Sequence, residues 1–328
     1  MQTREFGRLG TVSALTLGGG GIGGVWGATE QAEAVATVRA AIDAGITMLD
    51  LAPTYGDDYA AERVAGVALR AMPSADTLIT SKIELPEQDG GNLPEKMIRS
   101  LHATLDRLGR EHLDLFLLHS QLHPPGWRGP TPRTLGWELY QDQVVPTFER
   151  LRDEGKIRAW GLTGVGHPQT VIDAMRQQPR PDAVQTVVNA LDLSGDMWLL
   201  GSSAEPRNDE IRRVAVDAGV SVIAIRAVAA GALTTGIDRP VDDDAPVAVD
   251  FAQSERFRAL ADEFGESPAS LAHRYALSVP GVATVVLGVK NRTELAECLA
   301  AEARGPLTEA EQKALLDLRP GAADPTRG

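Results

Sequence analysis

Short runs of β-branched residues and leucine alternate with segments whose apolar residues recur every three or four positions, almost from end to end of the chain. The runs at 14–17, 47–51, 77–81, 113–118, 159–162, 183–187, 220–225 and 284–287 read as strands. Between them lie helical stripes: Val35, Val38 and Ile42; Met97, Leu101, Leu105 and Leu108; Val144, Phe148 and Leu151; Phe257, Leu260 and Phe264. Pro94 suits a first helical turn. Ser267-Pro268 is an N-cap followed by proline, and Thr308 with Glu311 spells a capping box for a last helix.

Strands alternating with helices predict βα units and a parallel sheet. The unbroken apolar run Leu115-Phe116-Leu117-Leu118 fits a strand covered on both faces. Eight is the number that closes a (β/α)₈ barrel, and the same alternation also fits an open, doubly wound sheet. Length does not separate the two. The 328 residues divide into about two domains of roughly 150 residues, whereas α/β barrels run past about 250 residues as one unit. No Pro/Gly/Ser linker, internal repeat or charge run breaks the middle of the chain, so a single domain over 1–328 is expected. The less regular stretches at 84–92, 121–137, 192–208 and 234–249 mostly follow strand ends, where barrel enzymes carry substrate loops.

The chain is 43% hydrophobic and 23% charged, as an ordinary globular protein is. Its 32 Lys+Arg against 45 Asp+Glu leave a net charge of −13. That sign disfavours nucleic acid and anionic membrane surfaces as partners, while a local basic pocket for one small anion stays compatible with it. The single cysteine, Cys298, excludes an intrachain disulfide and a cysteine-based zinc site. The charged N-terminus lacks the apolar core of a signal peptide and no stretch is long enough to span a bilayer, so a cytoplasmic protein is expected. Monomer and homo-oligomer are both compatible with the sequence.

The run Gly18-Gly19-Gly20-Gly21-Ile22-Gly23-Gly24 contains G-x-G-x-x-G in two registers. A dinucleotide fingerprint wants a helix immediately after it and an acidic residue about 20 residues on. Here Val25-Trp26-Gly27-Ala28 reads as loop, the helix begins near Thr29, and residues 38–42 are helix interior. The run is therefore read as a first βα loop, with Trp26 a candidate to line a pocket.

Strand ends carry the stronger chemistry. Asp50 ends the second strand and Tyr55 follows five residues later, Lys82 ends the third, and His119 ends the fourth. In a barrel these side chains converge at the carboxyl face. A phenol, with an ordinary pKa of about 10, is a poor acid at neutral pH unless a cation stabilises its phenolate. Lys82 can be that cation, Asp50 can hold the ammonium, and His119 can orient a carbonyl by a hydrogen bond. Only five of the 32 basic residues are lysine, so a lysine at this strand end, where a compact and tunable ammonium is useful, stands out. The spacing of His119 and His123 invites a metal reading, but Pro124-Pro125 interrupts a helix there and no carboxylate cluster accompanies it.

The segment Ala44-Gly45-Ile46-Thr47-Met48-Leu49-Asp50-Leu51-Ala52-Pro53-Thr54-Tyr55-Gly56 resembles the signature of the aldo-keto reductases, with Asp50, Tyr55, Lys82 and His119 at the positions of their catalytic tetrad. The likeness continues through 157–163, 185–189, 224–231 and 287–290, nearly the whole chain. It implies a (β/α)₈ barrel with long loops at the C-terminal face and a C-terminal helix. It further implies NADPH-dependent reduction of a small aldehyde or ketone. Tyr55 would be the general acid, Lys82 and Asp50 its tuning pair, and His119 the substrate orienter.

For the cofactor, the resemblance points to Thr163, Gly164 and Gln185 around the nicotinamide carboxamide, where the family has a serine, an asparagine and a glutamine, so one amide ligand is missing. The family's Tyr-Ser-Pro-Leu stretch, whose aromatic usually stacks on the nicotinamide, here reads Ile225-Arg226-Ala227-Val228; the Arg226 guanidinium can stack on the ring, meet the pyrophosphate or form a structural ion pair. Leu233 and nearby backbone would cover the pyrophosphate. Gly288 is a further cofactor residue, and Lys290 and Arg292, beside a helix starting near Thr293, would receive a 2′-phosphate. Glu294 and Cys298 replace the amides that address the adenine, and Glu294 keeps NAD open beside NADP. An NAD(P)-dependent aldose or alcohol dehydrogenase, or a cofactor-sensing regulatory subunit, are the alternative functions. Trp26, Trp127 and Trp198 are candidates for the substrate pocket, the last two equally for packing anchors.

Overall fold

The computed structural model describes residues 1–72, 76–86, 91–127, 133–193, 197 and 205–319. Each apolar run forms a strand: β1 Leu15–Gly18, β2 Met48–Asp50, β3 Leu78–Ile83, β4 Leu113–Leu118, β5 Ile157–Thr163, β6 Ala183–Val187, β7 Ser221–Ile225 and β8 Val282–Leu287. All pair in parallel in chain order and β8 returns to β1, closing an eight-stranded barrel. The open, doubly wound alternative is thereby set aside. Helices α1 Gln31–Asp43, α2 Ala60–Arg70, α3 Leu93–Leu108, α4 Val145–Asp153, α5 Pro168–Arg176, α6 Asn208–Asp217, α7 Pro268–Ser278 and α8 Arg292–Arg304 cover its outside, followed by α9 Glu309–Leu316. Two additional helices, Pro246–Gln253 and Glu255–Glu263, precede α7. No helix among the described residues is long and apolar enough to cross a membrane.

Successive strand side chains face opposite ways, and the two faces bury against different partners. Leu49, Ile79, Phe116, Leu118 and Trp160 pack in the layer between strands and helices. Met48, Leu115, Leu117, Ala159, Ala183 and Ile223 fill the barrel interior. The interior cluster also takes Phe6, Leu9 and Val12. These come from an N-terminal hairpin, Thr3–Glu5 antiparallel to Thr11–Ser13, that the hydrophobic pattern did not reveal because three-residue strands carry no period. A second short pair, Gln121–His123 parallel to Thr134–Gly136, organises the loop after β4.

Helix ends follow their caps. The Ser267 hydroxyl accepts from Ser270 N–H, and Thr308 and Glu311 form the reciprocal capping box. The glycine run is not loop throughout: Gly19–Ile22 makes one helical turn before α1. Close approach explains its composition. A Cβ at Gly18 would lie 2.3 Å from the Leu287 carbonyl oxygen, and one at Gly21 would lie 2.0 Å from that of Val289. Glycine is required here because the backbones leaving β1 and β8 touch.

One buried polar network ties the outer layer to the strand that carries Lys82. Glu62 on α2 is fully buried. Its carboxylate accepts from Ser81 of β3 at 2.7 Å, from Thr104 of α3 at 3.0 Å and from the Arg107 guanidinium at 2.5 Å. Removing the acceptor strands three donors, so Glu62→Ala should cost about 3–5 kcal/mol of folding free energy. Urea unfolding checks this, and a loss below about 1 kcal/mol, the worth of an exposed pair, would show that the network does not clamp β3.

Candidate active site

Alternation along three adjacent strands sets the centre of the site. Asp50 shares the face of Met48, and Lys82 that of Thr80, which is paired with Asp50 across β2 and β3. His119 follows β4 on the face of Leu115 and Leu117. All three therefore turn inward at the carboxyl end of the barrel. The Lys82 ammonium is completely buried; Nζ stands 2.8 Å from each oxygen of Asp50 and 2.9 Å from the Leu51 carbonyl oxygen. Gln185, arriving from β6, donates from Nε2 to Asp50 Oδ1 at 2.8 Å. Lys82 Nζ lies 4.7 Å from the centre of the Tyr55 ring. The Tyr55 and His119 rings meet edge to face at 5.7 Å.

Charge distribution follows from burial and these neighbours. Desolvation pushes the Tyr55 phenol above its ordinary pKa, against the pull of the Lys82 cation. Desolvation also opposes the charge on Lys82, but Asp50 and Tyr55 outweigh it and hold the ammonium protonated beyond its usual range. Burial, reinforced by the Lys82, Arg133 and Arg226 cations, brings the His119 imidazole down to about 3. At neutral pH the site thus holds a cationic lysine, a neutral phenol and a neutral imidazole.

Above this centre opens a cavity of ≈ 490 Å³. It begins at Asp50, Tyr55 and His119, passes Thr163, Gln185 and Arg226, and ends between α7 and α8 at Ser267 and Cys298. Its length, with a proton-bearing cluster at one end and a helix N-terminus near the other, suits an elongated nucleotide whose reactive ring reaches the cluster.

The family model of the Aldo/keto reductase family matches residues 14–319. The chain belongs to that family. Its members are NAD(P)H-dependent oxidoreductases, and this chain is an enzyme of that class. An L-galactose dehydrogenase of Arabidopsis thaliana is 24% identical over 306 residues, which are 92% of this chain and 88% of that protein. A methylglyoxal reductase of Escherichia coli is 34% identical over 140 residues, 43% of this chain and 42% of that one. Among solved structures, the holo form of an aldo-keto reductase from Bacillus halodurans superposes with a TM-score of 0.72 at 21% identity, covering 98% and 97% of the two chains. It shares the fold.

The other residues singled out from the sequence fall into two groups. Thr163, Gln185, Arg226, Gly288, Lys290, Glu294 and Trp26 all line the cavity. Beside the reacting centre, the Thr163 hydroxyl donates to the Leu118 carbonyl at 3.1 Å, and the Gln185 amide to Asp50. The missing amide at Gly164 has a steric cause, because a Cβ there would lie 2.7 Å from the Gln185 carbonyl oxygen. Arg226 lies over the Trp26 ring at 4.5 Å, with Arg239 over the same ring at 5.3 Å. The Trp26 indole abuts Gly20 and Gly288, on the β8 side of the cavity.

Leu233 and Arg292 do not line the cavity. The Leu233 side chain is fully buried in the core, while its neighbours Gly231 and Thr234 reach the cavity wall. Arg292 begins α8, but its guanidinium and backbone N–H are engaged by Glu33 of α1, with Nη2 to Oε2 at 2.8 Å. Trp127 packs between the rings of His123 and His167, as an anchor for its loop. Trp198 lies outside the described residues. Sequence reasoning missed Arg133 and Asp238, both on the cavity wall; their only signal was membership of the irregular stretches after β4 and β7. Among the described residues no group of three His, Cys, Asp or Glu is arranged to hold a metal ion.

The neutral imidazole is directly testable. An ordinary histidine titrates near 6.5; His119, held down to about 3, should show ring resonances that stay still between about pH 5 and 8 in an NMR titration. A midpoint near the ordinary value would overturn this electrostatic picture of the site.

Proposed function

We propose that the protein reduces the carbonyl group of a small aldehyde or ketone to the alcohol, with the Tyr55 hydroxyl supplying the proton. The single observation that carries this reading is the Lys82 ammonium buried between the Asp50 carboxylate and the Tyr55 ring. A nicotinamide held in the cavity would supply a hydride to the carbonyl carbon. As negative charge builds on the carbonyl oxygen, Tyr55 Oη gives up its proton to that oxygen, and Lys82 stabilises the phenolate left behind. Asp50 keeps the ammonium charged and fixed. His119, being neutral, has one N–H to donate to the carbonyl oxygen and orients it without competing as an acid. Thr163, Gln185 and Gly288 would hold and orient the nicotinamide half, and Arg226 with Gly231 and Thr234 the pyrophosphate. The relatives' names speak of small oxygenated compounds such as methylglyoxal, which supports a compact polar substrate.

The oxidative direction is the second reading, favoured by the dehydrogenase name of a relative aligned over 92% of the chain. It asks Tyr55 to act as a base. By microscopic reversibility the same Tyr55–Lys82 pair would take back in oxidation the proton it gives in reduction. A regulatory subunit without chemistry would have no use for the buried cation.

Removing the phenol oxygen or the ammonium should stop the proton transfer and spare the cofactor site. Tyr55→Phe and Lys82→Met are each expected to lower turnover with a broad carbonyl panel by about 10²–10⁴-fold, the usual worth of a positioned general acid. Nucleotide binding, followed by quenching of tryptophan fluorescence, should stay near wild type. Wild-type turnover in either variant would remove Tyr55 or Lys82 from the mechanism.

A further inference from the structure

The cavity is one continuous space, and a dinucleotide whose nicotinamide reaches Tyr55 must lay its adenosine half at the opposite end, near the start of α8. The charges at that end are unusual for a phosphate receptor. Lys290 is the cation nearest the α8 N-terminus on the cavity wall, and it is already claimed by two carboxylates. Asp238, on the loop after β7, makes a close ion pair with Lys290 Nζ, and Glu294 Oε1 stands 3.3 Å from the same atom. Glu294 is itself fixed, accepting from Lys290 N–H at 2.9 Å and from the Asn291 amide at 3.0 Å. Glu297 adds a third carboxylate to the wall and accepts from the Ser267 hydroxyl. Arg239, the other cation on this stretch of wall, faces Trp26 and donates to the Ala230 carbonyl at 2.8 Å. Arg292 is drawn away by the two-pronged contact with Glu33.

A 2′-phosphate carries two negative charges and needs cations whose hydrogen bonds are available. A ribose 2′-hydroxyl instead donates to a carboxylate, and the same carboxylate repels the phosphate. We propose that Asp238 and Glu294, by holding Lys290, make this enzyme selective for NADH over NADPH. The inference rests on the proposed reductase reading and reverses the preference expected from Lys290 and Arg292 as isolated charges.

Equilibrium binding of NADH and of NADPH to the full chain, by calorimetry and by quenching of tryptophan fluorescence, tests this without turnover. The wild type should bind NADH at least about tenfold more tightly, a difference of about 1.4 kcal/mol. The double variant D238N/E294Q should free Lys290 and shrink that ratio about tenfold or more, chiefly by tighter NADPH binding. NADPH bound as tightly as NADH by the wild type, or a ratio unchanged in the variant, overturns the selectivity and leaves the reductase reading standing. Binding of neither nucleotide overturns both.

Discussion

Taking the Lys82 ammonium out of water inside a barrel costs several kcal/mol unless its charge and all three of its donors are met. Asp50 and the Leu51 carbonyl meet them completely. This pair divides the barrel interior in two. Below it, Met48, Leu115, Leu117 and Ile223 make a dry apolar plug, sealed by Phe6 and Leu9 of the hairpin. Above it begins the polar cavity. The remaining electrostatics of the centre are consequences: the cation opposes the desolvation of the Tyr55 phenol and helps to keep the His119 imidazole neutral. Gln185 on Asp50 and Glu62 on Ser81 then brace the two strands from inside and outside.

Closure of the barrel imposes the second constraint. Strands β1 and β8 meet so closely that Gly18 and Gly21 touch the carbonyl oxygens of Leu287 and Val289. The glycines that resemble a nucleotide fingerprint are thus a consequence of packing two strand exits side by side. They still shape the cavity, because Gly20 and Gly288 leave room for the edge of the Trp26 indole, whose ring face carries the Arg226 guanidinium. Steric need and site geometry coincide in the same residues for different reasons.

Those features that depend on local alternation were legible in the sequence. The eight strands fall within a few residues of their apolar runs, and Asp50, Lys82 and His119 follow from strand ends and side-chain parity. What escaped depends on partners far away in the chain. Lys290 and Arg292 read as free positive charges because Asp238 and Glu33, which neutralise them, sit on other loops and helices. Leu233 reads as a cofactor cover from the resemblance alone, yet its side chain turns into the core while Gly231 and Thr234 nearby line the cavity. The hairpin Thr3–Glu5 with Thr11–Ser13 is too short to carry a period, and its contribution, Phe6 and Leu9 as a barrel plug, appears only when the interior is closed.

The net charge of −13 is a poor guide to the field inside the cavity, which has two signs. At the reacting end the cations Lys82, Arg133 and Arg226 all act on His119, and Lys82 and Arg226 both act on Tyr55. At the far end, Asp238, Glu294 and Glu297 outnumber Lys290. A developing alkoxide is stabilised where the cations are fixed and desolvated, while the carboxylates at the far end oppose a further anion there. The chain therefore separates charge along one cavity, spending its scarce lysines at both ends with opposite outcomes. Lys82 still acts on the phenol beside it, opposing the effects of burial and of the Asp50 carboxylate there. Lys290 loses its own because two carboxylates reach it, Asp238 from the loop after β7 and Glu294 from the first turn of α8.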